Sequence, residues 1–353
     1  MGILDFLKKK PARATVEPGG HSITVAPGQK LLNAALDAGL DWPHDCRVGS
    51  CGSCRCRLRS GAIKPLSDFV YTLDAADIEG GMILACQSLL KSDVVVEVEL
   101  GGRAVAIERH EATVQRVTPL THDIVEVVVA TAQPCFRQAQ AGQYAELTVD
   151  SIALPRSYSF ARPPQLEAAT EVSFFIRHVP GGEFTDWLFT EQRTGTALEL
   201  SGPYGNFYQR DGDGPMICVA GGSGLAPIKA LIEDGAATVK ARDLTVYFGA
   251  RSQADLYAMD DIARLGRQWG GQFALVPVLS EEPEDSGWTG ARGFVTEALA
   301  DCAADASRAE AYLCGPPPMV DAALPVLSTL GVPADAVFYD KFEDASTQPR
   351  VPA

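Results

Sequence analysis

The sequence of 353 residues has no apolar run that approaches the roughly 20 residues needed to cross a bilayer. The apolar stretch at its start is too short for a signal peptide, and the lysines at 8–10 follow that stretch where a signal would place them before it. Internal repeats and low-complexity tracts are also lacking. These absences predict a cytoplasmic globular protein without a membrane anchor, whose residues 1–12 form a flexible leader.

Basic residues are scarce relative to acidic ones. Lysine and arginine number 30 against 45 aspartates and glutamates, which gives a formal net charge of −15. Such a charge repels phosphate backbones and anionic lipid heads, so nucleic acid is excluded as a ligand and a lipid surface is disfavoured. The same charge can steer a basic protein partner toward an acidic face.

The length predicts two or three domains. The pattern of strand-like and helical segments divides the chain into three domains after the leader. Residues 13–102 read as short strands around one helix, and the run Val94–Leu100 alternates partly, as an outer strand would. Residues 103–211 contain strand-like runs with little helix between them, which favours a small β-barrel. The clearest of these runs are Ile124–Val129, Tyr144–Val149 and Val172–Ile176.

The last domain, residues 212–353, follows a turn-rich boundary at 211–215. Strands alternate there with helical stretches, and this rhythm implies parallel pairing in a doubly wound α/β sheet. Five strands are predicted, at Met216–Ala220, Leu244–Gly249, Phe273–Leu279, Ala311–Cys314 and Ala336–Tyr339.

Nine cysteines in a chain of this size do not suggest a disulfide framework, and their spacing is more informative than their number. Three follow the pattern C-x4-C-x2-C and a fourth stands far downstream, which is the spacing of plant-type 2Fe-2S proteins. Glycines inside the loop permit the tight curl that three ligands from one loop require. The four predicted ligands are Cys46, Cys51, Cys54 and Cys86, and the loop glycines are Gly49 and Gly52.

A structural zinc site is the alternative, but zinc loops usually place their cysteines in two close pairs. Cys56 could compete as a ligand, although a small buried side chain on the following strand is the favoured interpretation. With Pro27–Leu32 opening a helix before the cluster loop, the first hundred residues resemble a plant-type ferredoxin. That resemblance implies a β-grasp fold.

A short segment of the second domain combines a cation, a flat ring and a hydroxyl. Arg156 suits a pyrophosphate, the Tyr158 ring can lie against an isoalloxazine, and the Ser159 hydroxyl can hydrogen-bond the flavin near its reactive nitrogen. Downstream, Gly181 and Gly182 form a predicted turn into a helix start that includes Thr185. Exposed N–H groups there would donate hydrogen bonds to a phosphate.

Together these motifs resemble the ferredoxin-NADP reductase superfamily, which implies a flavin, FAD in preference to FMN, on a six-stranded antiparallel barrel. The alternative is an ordinary barrel with a surface arginine.

The third domain begins with a buried strand, a glycine turn and a helix. Gly221, Gly222 and Gly224 would let the backbone approach a pyrophosphate. The turn departs from G-x-G-x-x-G because Pro227 takes the place of the third glycine, and the second strand lacks an acidic end. A standard Rossmann dehydrogenase is therefore disfavoured.

The same turn matches the reductase superfamily, which also places a C-G-P motif late in the chain, here Cys314, Gly315 and Pro316. The resemblance implies that Cys314 lies beside the nicotinamide ring, with Tyr158 and Ser159 near the reacting part of the flavin. It also implies that Phe342 is the terminal aromatic residue near the flavin face. Without the match, a lone cysteine at a strand end is more often a packing residue.

The coenzyme can be predicted from charge, because a 2′-phosphate needs cations. After Ser280, the run offers the carboxylates of Glu281 and Glu282 where NADPH-using members of the superfamily commonly have arginine. Arg251, which follows the second strand, favours NADPH instead. NADH is the predicted coenzyme.

The order ferredoxin, flavin, nicotinamide resembles the reductase components of bacterial multicomponent oxygenases, such as those of benzoate dioxygenase, phenol hydroxylase and soluble methane monooxygenase. This resemblance implies an oxidoreductase that passes electrons from NADH through FAD and the 2Fe-2S cluster to a terminal oxygenase, either a Rieske or a di-iron hydroxylase, in aromatic hydrocarbon catabolism. The alternatives are a redox sensor that uses the same cofactors without sustained turnover, and the cytosolic arm of a membrane respiratory complex, which the missing membrane anchor disfavours.

Overall fold

The computed structural model of the protein describes residues 10–44, 47, 49, 52–101, 106–164, 170–238, 241–302 and 306–342. The chain forms two units, Met1–Ile107 and Glu108–Ala353. The predicted ligands Cys46 and Cys51, and residues 1–9 of the predicted leader, lie outside the described residues. Among the helices of these ranges, none combines the length and the apolar character that a membrane crossing needs.

In its described residues, the first unit contains a five-stranded sheet, a separate strand pair, two α-helices and two short 3-10 helices. Its elements are β1 (Ala12–Glu17), β2 (His21–Val25), α1 (Leu31–Asp37), β3 (Arg55–Ser60), β4 (Ile63–Pro65), α2 (Ala75–Glu79), β5 (Met82–Leu84), β6 (Ser88–Leu90) and β7 (Val94–Glu97). The sheet order is β2-β1-β7-β3-β5, in which only β1 and β7 pair in parallel. Helix α1 begins where the sequence predicts it and buries Leu31 and Leu32. This mixed sheet with its buried helix is the β-grasp arrangement predicted above.

The prediction that Val94–Leu100 forms an outer strand is wrong. β7 lies inside the sheet and pairs with β1 on one side and β3 on the other. Val94 and Val96 are buried, whereas Val95 and Glu97 are partly exposed. Alternation of this kind shows that one face of the sheet is covered, and it contains no information about the position of the strand in the order.

The first half of the second unit is a six-stranded antiparallel sheet that nearly closes into a barrel, as predicted. Its elements are β8 (Glu108–Pro119), β9 (Ile124–Thr131), β10 (Tyr144–Thr148), β11 (Arg156–Ser159), β12 (Glu171–Arg177), α3 (Glu183–Thr190) and β13 (Ala197–Tyr204). The order is β11-β10-β13-β8-β9-β12, and a bridge between Phe160 and Phe174 joins the two ends. The three predicted runs are confirmed as β9, β10 and β12. Buried β-branched residues mark β9 and β12, and a buried aromatic residue, Tyr144, marks β10.

The second half of this unit is a parallel sheet with helices between its strands. Its elements are β14 (Met216–Gly221), α4 (Leu225–Ala237), β15 (Leu244–Ala250), α5 (Met259–Gly266), β16 (Phe273–Leu279), β17 (Ala291–Arg292), α6 (Val295–Ala300), β18 (Glu310–Gly315), α7 (Pro317–Leu330) and β19 (Val337–Lys341). The order β17-β16-β15-β14-β18-β19 reverses direction between β14 and β18. Ligands of doubly wound sheets bind at such a reversal, outside the carboxyl ends of the strands.

The parallel sheet has six strands where the sequence predicts five. The five predicted strands are confirmed, and the additional strand, β17, pairs with the end of β16 at the sheet edge. It contains only Ala291 and Arg292. Two residues are too few to produce a periodic pattern, so the sequence contained no signal for this strand.

A common apolar core joins the barrel to the parallel sheet within the second unit. Ile124 and Phe175 of the barrel belong to the same buried cluster as Leu225 and Ile228 of α4. The buried Lys229 of α4 donates hydrogen bonds to the barrel carbonyl of Ala161 (3.3 Å) and to the carboxylate of Glu233 (2.9 Å). Groups from both halves can therefore contribute to one site.

Candidate cofactor sites

Two of the four predicted cluster ligands are described, and the pairing of β3 with β5 brings their segments together. Cys54 precedes β3 and Cys86 follows β5, and both side chains are buried. The N–H of Ala85 donates to the carbonyl of Cys54 at 3.2 Å. Two buried cysteines on adjoining segments are half of the four-thiolate donor set that a 2Fe-2S cluster requires.

The cluster loop is held against the segment of Cys86. Gly49 has a φ of 98°, and an ideal Cβ there would lie 2.6 Å from Cγ of Gln87, the neighbour of Cys86. The Thr72 hydroxyl donates to the carbonyl of Gly49 at 2.6 Å. The predicted curl is thus present at Gly49, and a larger residue would separate the loop from Gln87.

Cys56 lies inside β3 and is almost fully buried. Burial, together with the neighbouring Cys54, raises the pKa of its thiol well above the usual range. Its place inside a paired strand, away from the loop that carries the other cysteines, supports its interpretation as a packing residue. No disulfide joins the cysteines of the described ranges.

The flavin motif occupies β11, which pairs with β10 so that Ser159 faces Tyr144 and Tyr158 faces Ala145. The Tyr158 ring packs against Phe184 of α3 with centroids 5.3 Å apart, and Ser159 is buried. Burial, partly offset by Arg156, raises the pKa of the Tyr158 hydroxyl. Tyr158 therefore presents a neutral ring at the end of the barrel.

Arg156 connects this strand to the start of α3. Its Nη1 donates to the carbonyls of Leu154 (3.0 Å) and Pro155 (3.1 Å), while Nη2 lies 4.0 Å from the carboxylate of Glu183, the first residue of α3. The two flavin motifs of the sequence are thus brought together. Arg156 stays partly exposed, so part of its guanidinium can reach a ligand.

The predicted glycine turn holds the N–H groups of Gly181 and Gly182 in hydrogen bonds within the protein. The N–H of Gly181 donates to Asp186 (3.1 Å), and that of Gly182 donates to the carbonyl of Val179 (2.8 Å). Thr185 is buried, and its hydroxyl donates to the Val179 carbonyl at 2.9 Å. These hydrogen bonds fix the turn and the start of α3, where Asp186 in the first turn of the helix accepts from the N–H of Gly181.

The two nicotinamide motifs meet at the reversal of the parallel sheet. An ideal Cβ on Gly224 would overlap the carbonyl of Cys314, and one on Gly315 would lie 2.8 Å from the carbonyl of Gly221. Gly222 has a φ of 54°, and an ideal Cβ there would meet only a side-chain nitrogen at ordinary contact distance (3.9 Å). Backbone therefore packs on backbone, and a cradle remains that the side chain of a larger residue would fill. Pro316 follows this contact as the residue before α7.

Cys314 and Phe342 lie at the same end of the sheet. Cys314 is fully buried, and burial, with a smaller contribution from Asp340, raises the pKa of its thiol. The N–H of Phe342 donates to the carbonyl of Gly315 at 2.9 Å, and its ring packs against the apolar core of the unit. The C-G-P motif and the terminal aromatic residue are thus adjacent.

Sequence reasoning missed two residues beside the glycine turn. The Tyr257 hydroxyl donates to the carbonyl of Gly222 at 2.8 Å, and its ring packs edge-on against Phe175 and Phe248. Nη1 of Arg177, on β12 of the barrel, lies 3.9 Å from the position of an ideal Cβ on Gly222. Neither residue belongs to a recognisable motif, so only the fold could reveal them.

Hydrogen bonds join the loops that follow β15 and β16. These loops contain the residues from which NADH was predicted as the coenzyme. The N–H groups of Ser280 and Glu281 donate to the carbonyls of Ala250 (3.0 Å) and Arg251 (2.8 Å). The Glu282 carboxylate accepts hydrogen bonds from the backbone and side chain of Gln253 (2.8 and 2.5 Å), and these bonds lower the pKa of Glu282. Gln253 was not predicted, and it holds a charged carboxylate at this edge.

Models of known families match three segments of the chain. A 2Fe-2S iron-sulfur cluster binding domain matches residues 14–91, an oxidoreductase FAD-binding domain matches 111–208, and an oxidoreductase NAD-binding domain matches 218–324. The predictions of a 2Fe-2S cluster, FAD and a nicotinamide coenzyme are thereby confirmed at the level of the domains. The protein is an iron–sulfur flavoprotein oxidoreductase.

Characterised relatives cover nearly the whole chain. The electron transfer component of xylene/toluene monooxygenase from Pseudomonas putida is 43% identical over 96% of this chain and 95% of its own length. The reductase component of propane 2-monooxygenase from Rhodococcus jostii is 35% identical over 94% of this chain and 91% of its own. The crystal structure of the reductase GcoB from Amycolatopsis has a TM-score of 0.83 and 32% identity, over 94% of this chain and 98% of its own. The chain belongs to the family of three-domain reductase components of multicomponent oxygenases.

Proposed function

We propose that the protein oxidises NADH at the glycine turn of the parallel sheet and delivers electrons singly to a terminal oxygenase in the cytoplasm. The observation that carries this proposal is the contact of Gly224 with Cys314, which assembles both nicotinamide motifs beside the barrel. A bound FAD would supply the conversion between two-electron hydride chemistry and the one-electron transfers that a 2Fe-2S cluster requires.

Four thiolates are assigned to the cluster, those of Cys46, Cys51, Cys54 and Cys86. The burial of Cys54 and Cys86, and the hydrogen bond that joins their segments, support this assignment. Burial also lowers the local dielectric and limits the access of water to the metal.

The flavin is assigned to the end of the barrel where β11 meets α3. Arg156 would hold the pyrophosphate, the neutral Tyr158 ring would lie against the isoalloxazine, and the Ser159 hydroxyl would hydrogen-bond near its reactive nitrogen. Gly181, Gly182 and Thr185 would act indirectly, since their hydrogen bonds set the start of α3 beside Arg156.

The coenzyme is assigned to the reversal of the parallel sheet. Gly221, Gly222 and Gly224 would admit its pyrophosphate, while Gly315 and Pro316 would line the opposite side. Cys314 and Phe342 would lie beside the nicotinamide and the flavin face. Cys314 would contact the nicotinamide ring as a protonated thiol, because burial raises its pKa. Its side chain would also keep water away from the ring. The hydride step needs no acid or base from the protein.

NADH is favoured over NADPH because the Glu282 carboxylate lies at the edge where a 2′-phosphate would need a cation. The partner is proposed to be an oxygenase of hydrocarbons, either a Rieske or a di-iron enzyme. The relative named for xylene and toluene favours an aromatic substrate. The net charge of −15 would steer a basic face of that partner toward this protein.

An anaerobic titration of the purified full-length protein with NADH tests the proposal. We expect optical and electron paramagnetic resonance spectra to show the flavin and one 2Fe-2S cluster reduced in succession, and NADH to drive sustained cytochrome c reduction. Zinc in place of iron and sulfide would contradict the cluster assignment. Reduction of the cofactors without sustained turnover would favour a redox sensor.

A further inference from the structure

We propose that Asp123 and Asp255 make this reductase selective for NADH by holding the guanidinium of Arg251 in ion pairs. The inference rests on the proposed function, because it concerns the coenzyme that the glycine turn would bind. It assigns a specificity role to two carboxylates, one of which comes from the flavin barrel.

The position of Arg251 makes its charge a problem for an NADH enzyme. Arg251 directly follows β15, the second strand of the parallel fold. At the end of this strand, nucleotide-binding sheets commonly place an acidic residue that bonds the ribose 2′-hydroxyl, or an arginine that accommodates a 2′-phosphate. Arg251 is of the second type, so selectivity for NADH requires that its charge be engaged elsewhere.

Two carboxylates engage that charge. Nη2 of Arg251 lies 3.4 Å from Oδ2 of Asp123 and 3.4 Å from Oδ1 of Asp255, and it is also 3.3 Å from Nε2 of His122. Both carboxylates are mostly shielded from water, with exposed fractions of 17% and 15%. The Arg251 side chain is itself 44% exposed, so salt screens these ion pairs less than pairs on an open surface but more than fully buried ones.

Both carboxylates are themselves held in place. Oδ2 of Asp255 accepts hydrogen bonds from the N–H and the hydroxyl of Ser252, each 3.0 Å, which leaves Oδ1 directed at Arg251. Asp123 accepts from Nε of Arg177 at 2.9 Å and from the Thr121 hydroxyl at 3.0 Å. Preorganised acceptors lower the entropy cost of fixing the long Arg251 side chain.

The other arginine at this edge is also engaged by the protein. Nη1 of Arg292 donates to the carbonyl of Glu282 at 2.6 Å, and Nη2 donates to that of Trp288 at 3.2 Å. The neighbouring side-chain charge is the Glu282 carboxylate. A 2′-phosphate would thus meet a carboxylate and two engaged arginines, whereas a 2′-hydroxyl meets no repulsion.

Binding of 2′,5′-ADP, compared with 5′-AMP, measures this effect without turnover. Calorimetric titrations would use the full-length holoprotein as wild type, Asp255→Asn, and the double variant Asp123→Asn with Asp255→Asn. Release of Arg251 should tighten 2′,5′-ADP binding roughly tenfold in the double variant, as expected for one charged hydrogen bond, and should leave 5′-AMP nearly unchanged. The gain should disappear when Arg251→Ala is added.

Asp260→Asn is the matched control, since it removes the same charge from an exposed position in the first turn of α5. A gain of similar size in this variant, or one that persists without Arg251, would overturn the proposal, as would unchanged 2′,5′-ADP binding in both Asp255 variants. If Asp123→Asn fails to fold because it also loses Arg177, Asp255→Asn alone decides the question. A wild-type protein that binds neither 5′-AMP nor NADH would instead refute the proposed function.

Discussion

The backbone of Gly224 packs against that of Cys314, so that an ideal Cβ on Gly224 would overlap the Cys314 carbonyl and lie 2.7 Å from the nitrogen of Gly315. This contact unites two motifs that are far apart in the sequence. It involves backbone on both sides, so neither partner can move away as a flexible side chain could.

Gly224→Ala should therefore impair both folding and coenzyme binding. The φ of Gly224 is −61°, which alanine adopts easily, so the steric overlap is the only source of strain. We expect a loss of about 1 to 3 kcal/mol in the free energy of unfolding, as for overpacked cores, and weaker binding of NADH. Urea unfolding and fluorescence titration with NADH measure the two effects.

Gly221→Ala is the control for this prediction. Its Cβ would lie 2.6 Å from Sδ of Met319, near the flexible end of a side chain that can rotate away, and at a tight but not overlapping 3.2 Å from Cδ of Pro316. The loss should be smaller and should be relieved by Met319→Ala. Equal losses in Gly221→Ala and Gly224→Ala would show that the backbone contact is not the limiting feature.

Cys86→Ser should remove the iron–sulfur cluster and leave the flavin in place. A serine hydroxyl is a weaker ligand than a thiolate, and Cys86 belongs to the first unit, whereas the flavin segment belongs to the second. Iron and sulfide per FAD should fall toward zero, and NADH-driven cytochrome c reduction should be lost while direct reduction of the flavin by NADH persists.

The matched variant is Cys56→Ser, since Cys56 is equally buried and lies on the strand that pairs with the segment before Cys86. It should lose stability through the buried hydroxyl and retain its cluster. A cluster lost from Cys56→Ser and retained in Cys86→Ser would reverse the ligand assignment.

Much of this architecture could be predicted because its signals are local. β-branched and aromatic residues identify the strands β9 and β12. The cysteine spacing reflects the ligand geometry of one loop. β8 was not singled out, since its sequence is largely polar. The helix start at Gly182 was predicted, but Asp186 binds the turn's own N–H, and no pattern distinguishes that use from phosphate binding.

The pairing of Asp123 with Arg251 shows the other limit of sequence reasoning. These residues come from the barrel and the parallel sheet, and only packing of the two halves brings them together. Arg251 on its own therefore suggested NADPH, although two carboxylates lie 3.4 Å from its guanidinium in the structure. Charges can be counted from a sequence, but their partners depend on the fold.

The buried ion pair between Arg242 and Glu310 should be important for stability. The atoms lie 2.9 Å apart, and the side chains are only 3% and 13% exposed. Glu310→Gln would leave the arginine charge buried without a counter-charge, so we expect a loss of about 3 to 5 kcal/mol in chemical unfolding experiments. The double variant Arg242→Met with Glu310→Leu should recover part of that loss, and no recovery would mean that hydrogen bonds to neighbouring groups dominate.

Tyr257→Phe should change stability in opposite directions at neutral and alkaline pH. At neutral pH the variant loses the hydrogen bond to the Gly222 carbonyl, which should cost about 1 kcal/mol. Burial, with smaller contributions from the neighbouring Cys314 and Asp123, raises the pKa of Tyr257 well above its usual range. The folded wild type therefore keeps a proton that the unfolded chain releases above about pH 10.

The sign of the alkaline effect follows from this difference in bound protons. A raised folded-state pKa stabilises the wild type below the unfolded pKa, and that stability is lost as the pH rises, by about 1.4 kcal/mol per pH unit for one tyrosine. The wild type should thus lose its advantage over Tyr257→Phe within about one pH unit above pH 10. Urea unfolding of both proteins between about pH 7 and 11 measures the crossing. Parallel curves for the two proteins would mean that Tyr257 ionises freely in the folded state.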